Sequence, residues 1–328
     1  MNIQEISIIN EKFRDFSSPD RIDSAIFFSI NYLLIEIKFI FSINSKRKMG
    51  NLIGSKEADN TPFTRETLIQ GIKEKRFRKV VFLTGAGISV ASGIPDFRTP
   101  GTGLYSKVQS LDLPYPEALF SIDYFKERPE AFYSFAKAYI DCLDAKPVLA
   151  HHFIKIFNDE KLLHRSYTQN VDGLELDAGL PADKLIEAHG HLRTAKCISC
   201  KKAKDMEECK KALREGELIR CKCGGLIKPD VTFFGESLPM SFYLNIFRIK
   251  QCDLAVVMGT SLTVFPFASL IGMVPKGVPM VLINNENSVH VERDKFLFLG
   301  GDIEEVVGGL MKDLGWEEKL PEELKARL

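Results

Sequence analysis

Two pairs of cysteines are the most specific chemical feature of the chain. Cys197 and Cys200 are separated by two residues and Cys221 and Cys223 by one, with about twenty residues between the pairs. Four thiolates at this spacing suit a tetrahedral zinc site, and nothing beside them indicates an open coordination position. We predict a structural zinc ion that holds a small module with little core of its own. Cys209 lies between the pairs and is interpreted as a bystander, although it is the rival ligand.

One histidine is the candidate for proton transfer. His189 follows a short apolar run, and a polar cluster of Gln169, Asn170 and Asp172 follows a predicted strand. Ligands bind at the carboxyl ends of strands in open α/β sheets, so polar side chains there are functional candidates. Histidine titrates near neutrality, which makes His189 a natural acceptor of a proton from a sugar hydroxyl. His191 is interpreted as structural.

A glycine-rich turn comes directly after the apolar, β-branched run Val80–Leu83. The glycines within residues 85–87 allow a tight turn and a close approach of phosphate to the backbone. Residues 88–92 are predicted to begin a helix whose free N–H groups face a pyrophosphate. Strand, turn and helix in this order are typical of dinucleotide binding, although the third glycine of the fingerprint would fall at Val90.

Length and composition set the broad class. The chain has 328 residues, enough for one large domain or two smaller ones, and its formal net charge is zero. Without a basic excess the composition does not indicate nucleic-acid binding, and without an acidic excess it does not indicate a disordered tail. The clustered cysteines suit a metal site in a reducing compartment better than a disulfide framework.

The N-terminal part differs from the rest. Ser24–Ile43 is rich in Ile, Phe and Leu and is long enough to cross a bilayer, but Asn31, Glu36 and Lys38 interrupt it. Each charge near the bilayer centre would cost about 3 kcal/mol. We therefore expect residues 1–60 to be a poorly ordered extension, with membrane association through it as the less favoured alternative.

An alternative hypothesis is that translation starts at Met49. Met49 begins the run Met-Gly-Asn-Leu-Ile-Gly, which approaches an N-myristoylation signal but has Gly54 where Ser or Thr is expected. The folded domain is expected to begin near Asn60, where Thr64 is a candidate helix cap.

Three further segments have predicted structure. Residues 99–116 are rich in Gly, Pro and Ser and predict a long mobile loop. Residues 117–144 carry aromatic side chains at helical spacing, which indicates core packing. Residues 150–158 predict another helix, in which His151 and His152 are given structural roles.

Four motifs in a fixed order resemble those of the sirtuins, the NAD-dependent protein deacylases. They are GAGISVASGIPDFR at 85–98, TQNVD at 168–172, EAHG at 187–190 and GTSLTVFPF at 259–267. The match extends from about residue 64 to residue 316. It implies an α/β fold, a Rossmann-like parallel sheet domain with an inserted small zinc-binding module and a helical subdomain.

The resemblance also implies boundaries within a catalytic domain at 61–328. The Rossmann-like part would comprise about 61–100, 150–192 and 228–328, with the helical insertion at about 101–149 and the zinc module at about 193–227.

The implied reaction consumes NAD as co-substrate and removes acetyl groups from protein lysines, giving nicotinamide, O-acetyl-ADP-ribose and free lysine. In it, His189 is the catalytic base and Asn170 orders the ribose and a water. Asp172 would hold the carboxamide, Phe97 would shield the reactive carbon, and Arg98 would help to place the diphosphate.

The resemblance assigns three sets of residues. The cofactor set is Gly85, Ala86, Gly87, Ser89, Ile94, Pro95, Asp96, Phe97, Arg98, Tyr105, Gln169, Asn170, Val171, Asp172, His189, Gly259, Thr260, Ser261, Val264, Asn284, Asn285, Glu286 and Asp302. The acyl-lysine set is Val231, Thr232, Phe233, Phe234, Gly235 and Glu236. The structural Zn(II) ligands are Cys197, Cys200, Cys221 and Cys223. Thr232 departs from the family's usual Val, and Asp302 stands where many relatives have Cys.

The expected partners follow from the branch that the motifs resemble most. DFRTPGTGLY and LPYPEA resemble the branch acting on histones and tubulin, which implies acetylated proteins of this kind in the cytoplasm, the nucleus or both, without direct nucleic-acid binding. Desuccinylating relatives carry Tyr-x-x-Arg in the flexible loop. Here Val108 follows Tyr105 at that spacing, so a neutral acyl group is predicted.

Two other classes of function remain open. One is an NAD-dependent protein mono-ADP-ribosyltransferase, which would not need the acyl channel. The other is a non-catalytic protein, either an NAD-sensing scaffold or a zinc ribbon on nucleic acid. The basic residues between the cysteine pairs alternate with acidic ones, which favours a solvated helical face. They are Lys201, Lys202, Lys204, Lys210 and Lys211, interleaved with Asp205, Glu207 and Glu208.

Overall fold

Six parallel strands order the part of the chain that the structure, a computed structural model, describes: residues 62–139, 142, 144–289 and 292–328. The extension predicted for residues 1–60, with its apolar segment and Met49, lies outside the described residues. Nine strands are described, six in this sheet and three in a smaller one. They are β1 Val80–Thr84, β2 Leu163–Thr168, β3 Leu185–Glu187, β4 Gly190–Cys197, β5 Ala203–Lys204, β6 Ile227–Val231, β7 Leu254–Met258, β8 Met280–Asn284 and β9 Phe296–Gly300.

The large sheet has the order β3-β2-β1-β7-β8-β9. Strands β2 and β3 lie on one side of β1, and β7, β8 and β9 lie on its other side. The direction in which successive strands are added to the sheet therefore reverses between β1 and β7. A crevice at such a switch point is where open α/β sheets bind ligands. Val80–Leu83 of β1 is fully buried, because helices cover both faces of the sheet. This confirms the predicted Rossmann-like α/β class.

Eleven α-helices lie in the described residues. They are α1 Arg65–Lys73, α2 Leu104–Lys107, α3 Ile122–Glu127, α4 Pro129–Tyr139, α5 Leu149–Asp159, α6 Leu174–Asp177, α7 Met206–Glu215, α8 Met240–Asn245, α9 Leu270–Met273, α10 Ile303–Leu314 and α11 Glu322–Lys325. One core joins α1, α5 and α10 to one face of the sheet, and a second joins α8 and α9 to the other face. Among the described residues, no helix combines the length and apolar character that a membrane crossing requires.

Two smaller units are inserted into this frame. The first, between β1 and β2, contains α2, α3 and α4. The second, between β3 and β7, contains the antiparallel sheet β5-β4-β6 and α7. The Tyr133 hydroxyl of the first unit donates to the Ile227 carbonyl of the second at 2.6 Å. Phe125 and Phe132 of the first unit pack on Phe233, which follows β6.

Local structure agrees with the sequence in part. Thr64 caps α1 as predicted, through a reciprocal pair of hydrogen bonds with Thr67. Residues 117–144 are not one continuous helix, because Arg128 precedes a proline and leaves the helical region. The predicted loop at 99–116 contains α2 and a 3-10 helix, Val108–Leu111. β9 was not predicted.

Helix α5 is capped by a side chain from a distant part of the chain. The Glu304 carboxylate of α10 accepts hydrogen bonds from the Leu149 N–H at 2.9 Å and the Ala150 N–H at 3.0 Å. These are N–H groups of the first turn, which have no partner within a helix.

We expect Glu304→Ala to lower the free energy of unfolding by about 1–2 kcal/mol, because both N–H groups lose their acceptor. Denaturant unfolding measures this. The control is Glu305→Ala, whose exposed side chain is on the same turn and which we expect to change stability by less than about 0.5 kcal/mol. Equal losses in the two variants would contradict the capping role.

Candidate active site and metal centre

The loops that leave β1 and β7 touch where the strand order reverses. The Gly87 N–H donates to the Gly259 carbonyl at 2.9 Å, and the Gly85 N–H donates to the Met258 carbonyl at 3.2 Å. A Cβ atom at Gly87 would lie 2.6 Å from the Gly259 Cα, which leaves no room for a side chain. The glycines are therefore required for the packing of one strand-end loop on the other, in addition to the close approach of phosphate that the sequence predicts.

Ser89 is the centre of a buried hydrogen-bond network behind this turn. Its Oγ lies 2.8 Å from Asp172 Oδ2, 3.1 Å from Asn170 Nδ2 and 3.3 Å from His151 Nε2. The Val148 N–H donates to His151 Nδ1 at 3.1 Å, so the ring hydrogen is on Nε2. Ser89 thus accepts from His151 and Asn170, and its own hydrogen is left for the Asp172 carboxylate.

His151 belongs to this network although sequence reasoning gave it only a structural role. It is fully buried, and burial lowers the pKa of His151 to about 3, so the ring is neutral at physiological pH. The one signal in the sequence is a polar residue on the apolar face of α5, where its neighbours Phe153 and Ile154 are core residues.

Asp172 and Glu175 form a buried acidic pair. Asp172 Oδ1 accepts from the Leu174 N–H at 3.0 Å, while neither carboxyl oxygen of Glu175 has a hydrogen-bond partner among the described residues. Burial raises the pKa of both groups, that of Glu175 to about 8. We assign the negative charge to Asp172, whose oxygens accept two hydrogen bonds, and the proton to Glu175. Glu175 was also missed from the sequence.

His189 lies just beyond β3, beside the end of β2. Its Nδ1 is 3.1 Å from the Gln169 carbonyl oxygen. A carbonyl oxygen can only accept, so Nδ1 carries the hydrogen and Nε2 keeps its lone pair. Burial lowers the pKa of His189, and the hydrogen bond to Gln169 opposes this only in part. The imidazole is therefore neutral at neutral pH and has one free basic nitrogen.

The loop after the glycine turn is folded by one carboxylate. Asp96 accepts from the backbone N–H groups of Arg98 at 3.1 Å and Thr99 at 2.8 Å, and from the Thr99 hydroxyl. The exposed Arg98 guanidinium reaches across to Ser261 Oγ at 3.3 Å. The Phe97 side chain is 38% exposed. Asp96 thus shapes the loop that presents Phe97 and Arg98.

Thr260 connects the ends of β2, β7 and β8. Gln169 Nε2 donates to Thr260 Oγ1 at 2.6 Å. The Thr260 carbonyl accepts from Ser288 Oγ at 2.8 Å and, more weakly, from Asn284 Nδ2 at 3.5 Å. Ser288 was not predicted as a site residue, since nothing in its sequence context distinguishes it from an ordinary loop serine.

Other predicted site residues have structural contacts of their own. Asp302 caps α10 by accepting two N–H groups of its first turn at 2.9 and 3.1 Å. Phe233 is 1% exposed and packs in the core of the helical insertion, whereas its neighbour Phe234 is 47% exposed. Asn285 and Glu286 are exposed at the end of β8.

The groups at this edge have the chemistry to bind the predicted NAD. The 3-10 helix Ala86–Ser92 begins at the glycine turn, and a helix start suits a diphosphate, although the N–H groups of Gly87 and Ile88 themselves donate to the Gly259 and Gly85 carbonyls. The exposed Arg98 supplies a cation for the same group. Asn170 and Asp172, on the neighbouring strand end, suit a ribose hydroxyl and a carboxamide. The remaining predicted contacts follow the same strand ends, at Ala86, Ile94, Pro95, Val171 and Val264, except Tyr105, which lies in α2.

The four predicted zinc ligands lie together at one end of the small sheet. Sγ of Cys197 is 3.5 Å from that of Cys223, Sγ of Cys200 is 3.6 Å from that of Cys221, and all four lie within 4.8 Å of one another. Zn–S bonds of about 2.3 Å in a tetrahedron place sulfurs about 3.8 Å apart, so the cluster fits a structural zinc ion. Cys209 is buried in the core beside this sheet.

We expect the purified protein to contain one zinc ion per chain and Cys200→Ala to lose it, because three thiolates hold the metal much more weakly than four. Elemental analysis measures the zinc content, and thermal unfolding measures the melting temperature. Both quantities should fall in Cys200→Ala. Cys209→Ala is the matched control and should keep its zinc. Loss of the metal from the Cys209 variant instead would overturn the assignment.

Comparison with known proteins agrees with this geometry. A family model described as "Sir2 family" matches residues 85–266. The "NAD-dependent protein deacetylase sirtuin-2" of Danio rerio is 44% identical over 270 residues, covering 81% of this chain and 70% of that protein. The "NAD-dependent protein deacetylase hst2" of Schizosaccharomyces pombe is 42% identical, covering 76% of each chain.

A third relative is matched over a smaller share of its own length. The "NAD-dependent deacetylase sir2A" of Dictyostelium discoideum is 44% identical over 80% of this chain and 54% of that protein. The family model covers more than half of the chain, and the relatives extend the match over most of the described residues. These matches agree with the parallel sheet, the histidine at a strand end and the cluster of four cysteines, and this chain belongs to the Sir2 family.

Proposed function

We propose that this protein removes acetyl groups from protein lysines in an NAD-dependent reaction. The observation that carries the proposal is the neutral His189, whose free Nε2 lies at the same sheet edge as Asn170 and Asp172. The predicted acyl-lysine segment is hydrogen-bonded to the backbone of that histidine, because the Thr232 N–H donates to the His189 carbonyl at 2.8 Å. The family relatives named above are all called NAD-dependent deacetylases.

When bound, NAD would supply an electrophilic ribose carbon, which exchanges its bond to nicotinamide for a bond to the acetyl oxygen, and a ribose hydroxyl, which receives the acetyl group. Asn170 and Asp172 would orient the ribose and carboxamide, since both are fixed by Ser89. Arg98 would hold the diphosphate, and Phe97 would cover the reacting carbon and exclude water, which strengthens electrostatic interactions at the site.

His189 would take the proton of a ribose hydroxyl. A base must be unprotonated and within hydrogen-bond reach of the group that it deprotonates. The Gln169 carbonyl fixes the hydrogen on Nδ1, so Nε2 is the nitrogen that acts. Burial keeps the imidazole neutral at neutral pH.

The substrate side favours a neutral acyl group on an extended peptide. Extended peptides can bind by main-chain hydrogen bonds beside a strand, and the Val231–Glu236 segment, which starts at the last residue of β6, is the proposed place for one. Val108, at the position where desuccinylating relatives carry Arg, is 2% exposed in the core of the helical insertion. No cation from that position is available for an acidic acyl chain.

The finer assignments rest on the resemblance. Acetylated histones or tubulin are the proposed substrates, and the cytoplasm, the nucleus or both are the proposed location. A reducing compartment suits the free thiols of the cysteine cluster. Binding of the zinc module to nucleic acid is not favoured, since Lys204 pairs with Glu208 and Lys210 pairs with Glu207.

The direct test measures nicotinamide release from NAD with one histone-tail peptide in acetylated, succinylated and unmodified forms. We expect release only with the acetylated peptide, and a loss of at least about a hundredfold in His189→Ala, as for removal of a general base. His191→Ala, two residues away, is the control and should keep its activity. Release without acetylation would indicate ADP-ribosyl transfer or NAD hydrolysis, and NAD binding without release would indicate a scaffold.

The pH dependence of kcat/KM gives a second test. Because the base must be neutral and burial lowers the pKa of His189 below 6.5, activity should be constant near neutrality and decline only at lower pH. Below that pKa the decline approaches tenfold per pH unit as the imidazole becomes protonated. An acid limb with an apparent pKa above 6.5 would contradict a buried neutral base.

A further inference from the structure

A lysine is buried directly beneath the predicted acyl-lysine segment. Lys228 lies in β6 and is 5% exposed. Its Nζ donates to the Val231 carbonyl at 2.5 Å and the Pro229 carbonyl at 3.2 Å, and it lies 3.0 Å from Glu236 Oε2. It also lies 4.4 Å from the centre of the Phe233 ring. Every one of these partners belongs to residues 229–236.

One peptide group links this ammonium to the histidine. The peptide between Val231 and Thr232 gives its carbonyl to Lys228 and its N–H to the His189 carbonyl. Both ends of the peptide plane are therefore fixed, one by the ammonium and one by the residue that carries the proposed base. The approach is tight here, because a Cβ atom at Gly190 would overlap the Asp230 carbonyl.

The same ammonium closes the turn that follows. Glu236 Oε2 accepts the Phe233 N–H at 2.8 Å, and the Glu236 N–H donates to the Phe233 carbonyl at 2.9 Å. Lys228 pairs with that carboxylate oxygen. Without the ammonium, Glu236 would be a half-buried carboxylate with no cation paired to it among the described residues, and the Val231 carbonyl would lose its donor.

Burying an ammonium is costly, and an apolar side chain of equal length would fill the same space. Burial lowers the pKa of Lys228, and Glu236 counteracts this. Lys196, which is paired with Lys228 across the small sheet, offers a contrast. Its ammonium is half exposed and binds Asp230 at 2.8 Å on the outside of the sheet.

We propose that Lys228 is a positioning residue for the acyl-lysine substrate, which fixes the Val231–Glu236 segment in register with His189. The inference rests on the proposed deacetylase function and adds a residue that neither the motifs nor the resemblance assigned to the site. Lys228 acts on the substrate side, because within the described part of the chain its polar contacts are with Pro229, Val231 and Glu236 and none is with the strand-end loops proposed for NAD.

The test compares Lys228→Met with Lys196→Met, using KM for the acetylated peptide and KM for NAD as separate readouts. We expect Lys228→Met to raise the peptide KM about tenfold or more, as for loss of a buried charged hydrogen bond, with the NAD KM within about twofold of wild type. Lys196→Met should leave both constants close to wild type.

A double variant separates positioning from stability. Lys228→Met leaves Glu236 without its cation, so it should lower the melting temperature. Lys228→Met/Glu236→Gln removes that unpaired charge and should recover most of the melting temperature, while the Val231 carbonyl still lacks its donor and the peptide KM stays raised above that of Glu236→Gln alone. Recovery of both quantities together would overturn the proposal, as would a Lys228→Met enzyme with wild-type peptide KM or with equal rises in both KM values.

The experiment distinguishes failure of the proposed deacetylase function from failure of the proposed role of Lys228. If the wild-type protein does not deacetylate the peptide, the proposed function fails and this inference fails with it. If the wild-type protein is active and the variants show no selective change in peptide KM, only the role of Lys228 is refuted.

Discussion

The hydrogen bond from His189 Nδ1 to the Gln169 carbonyl is the interaction on which the site depends. It joins the ends of β2 and β3, which are neighbours in the parallel sheet, and it selects the tautomer with a free Nε2. Because parallel strands end at one edge, the same pairing brings Asn170 and the glycine turn to that edge. The position of the base therefore follows from the register of the sheet.

Behind this edge lies a network whose charges are settled by burial. Burial keeps His151 neutral. Burial and the neighbouring Asp172 charge keep Glu175 protonated. Ser89 is consequently left with one acceptor for its hydrogen, the Asp172 carboxylate. A network with one consistent set of donors and acceptors is rigid, which suits a site that must orient a flexible dinucleotide.

The sequence predicts the motif-bearing parts of the site well and the supporting parts poorly. Residues 80–83 and 254–258 are continuous apolar runs, and the spacing of the paired cysteines is typical of zinc sites. His151 was missed because its role comes from a contact across the fold, with Ser89. Lys228 was missed because only the turn after β6 brings the Glu236 carboxylate to its ammonium. The break at Arg128 could have been read from the following proline.

The state of the His189 ring is the most direct test of the account. Nitrogen-15 NMR of histidine-labelled protein at neutral pH, assigned with His189→Ala, reports which ring nitrogen carries hydrogen. We predict a neutral ring with hydrogen on Nδ1 and a lone pair on Nε2. A doubly protonated ring, or a neutral ring with hydrogen on Nε2, would contradict the proposed base and the hydrogen bond that orients it.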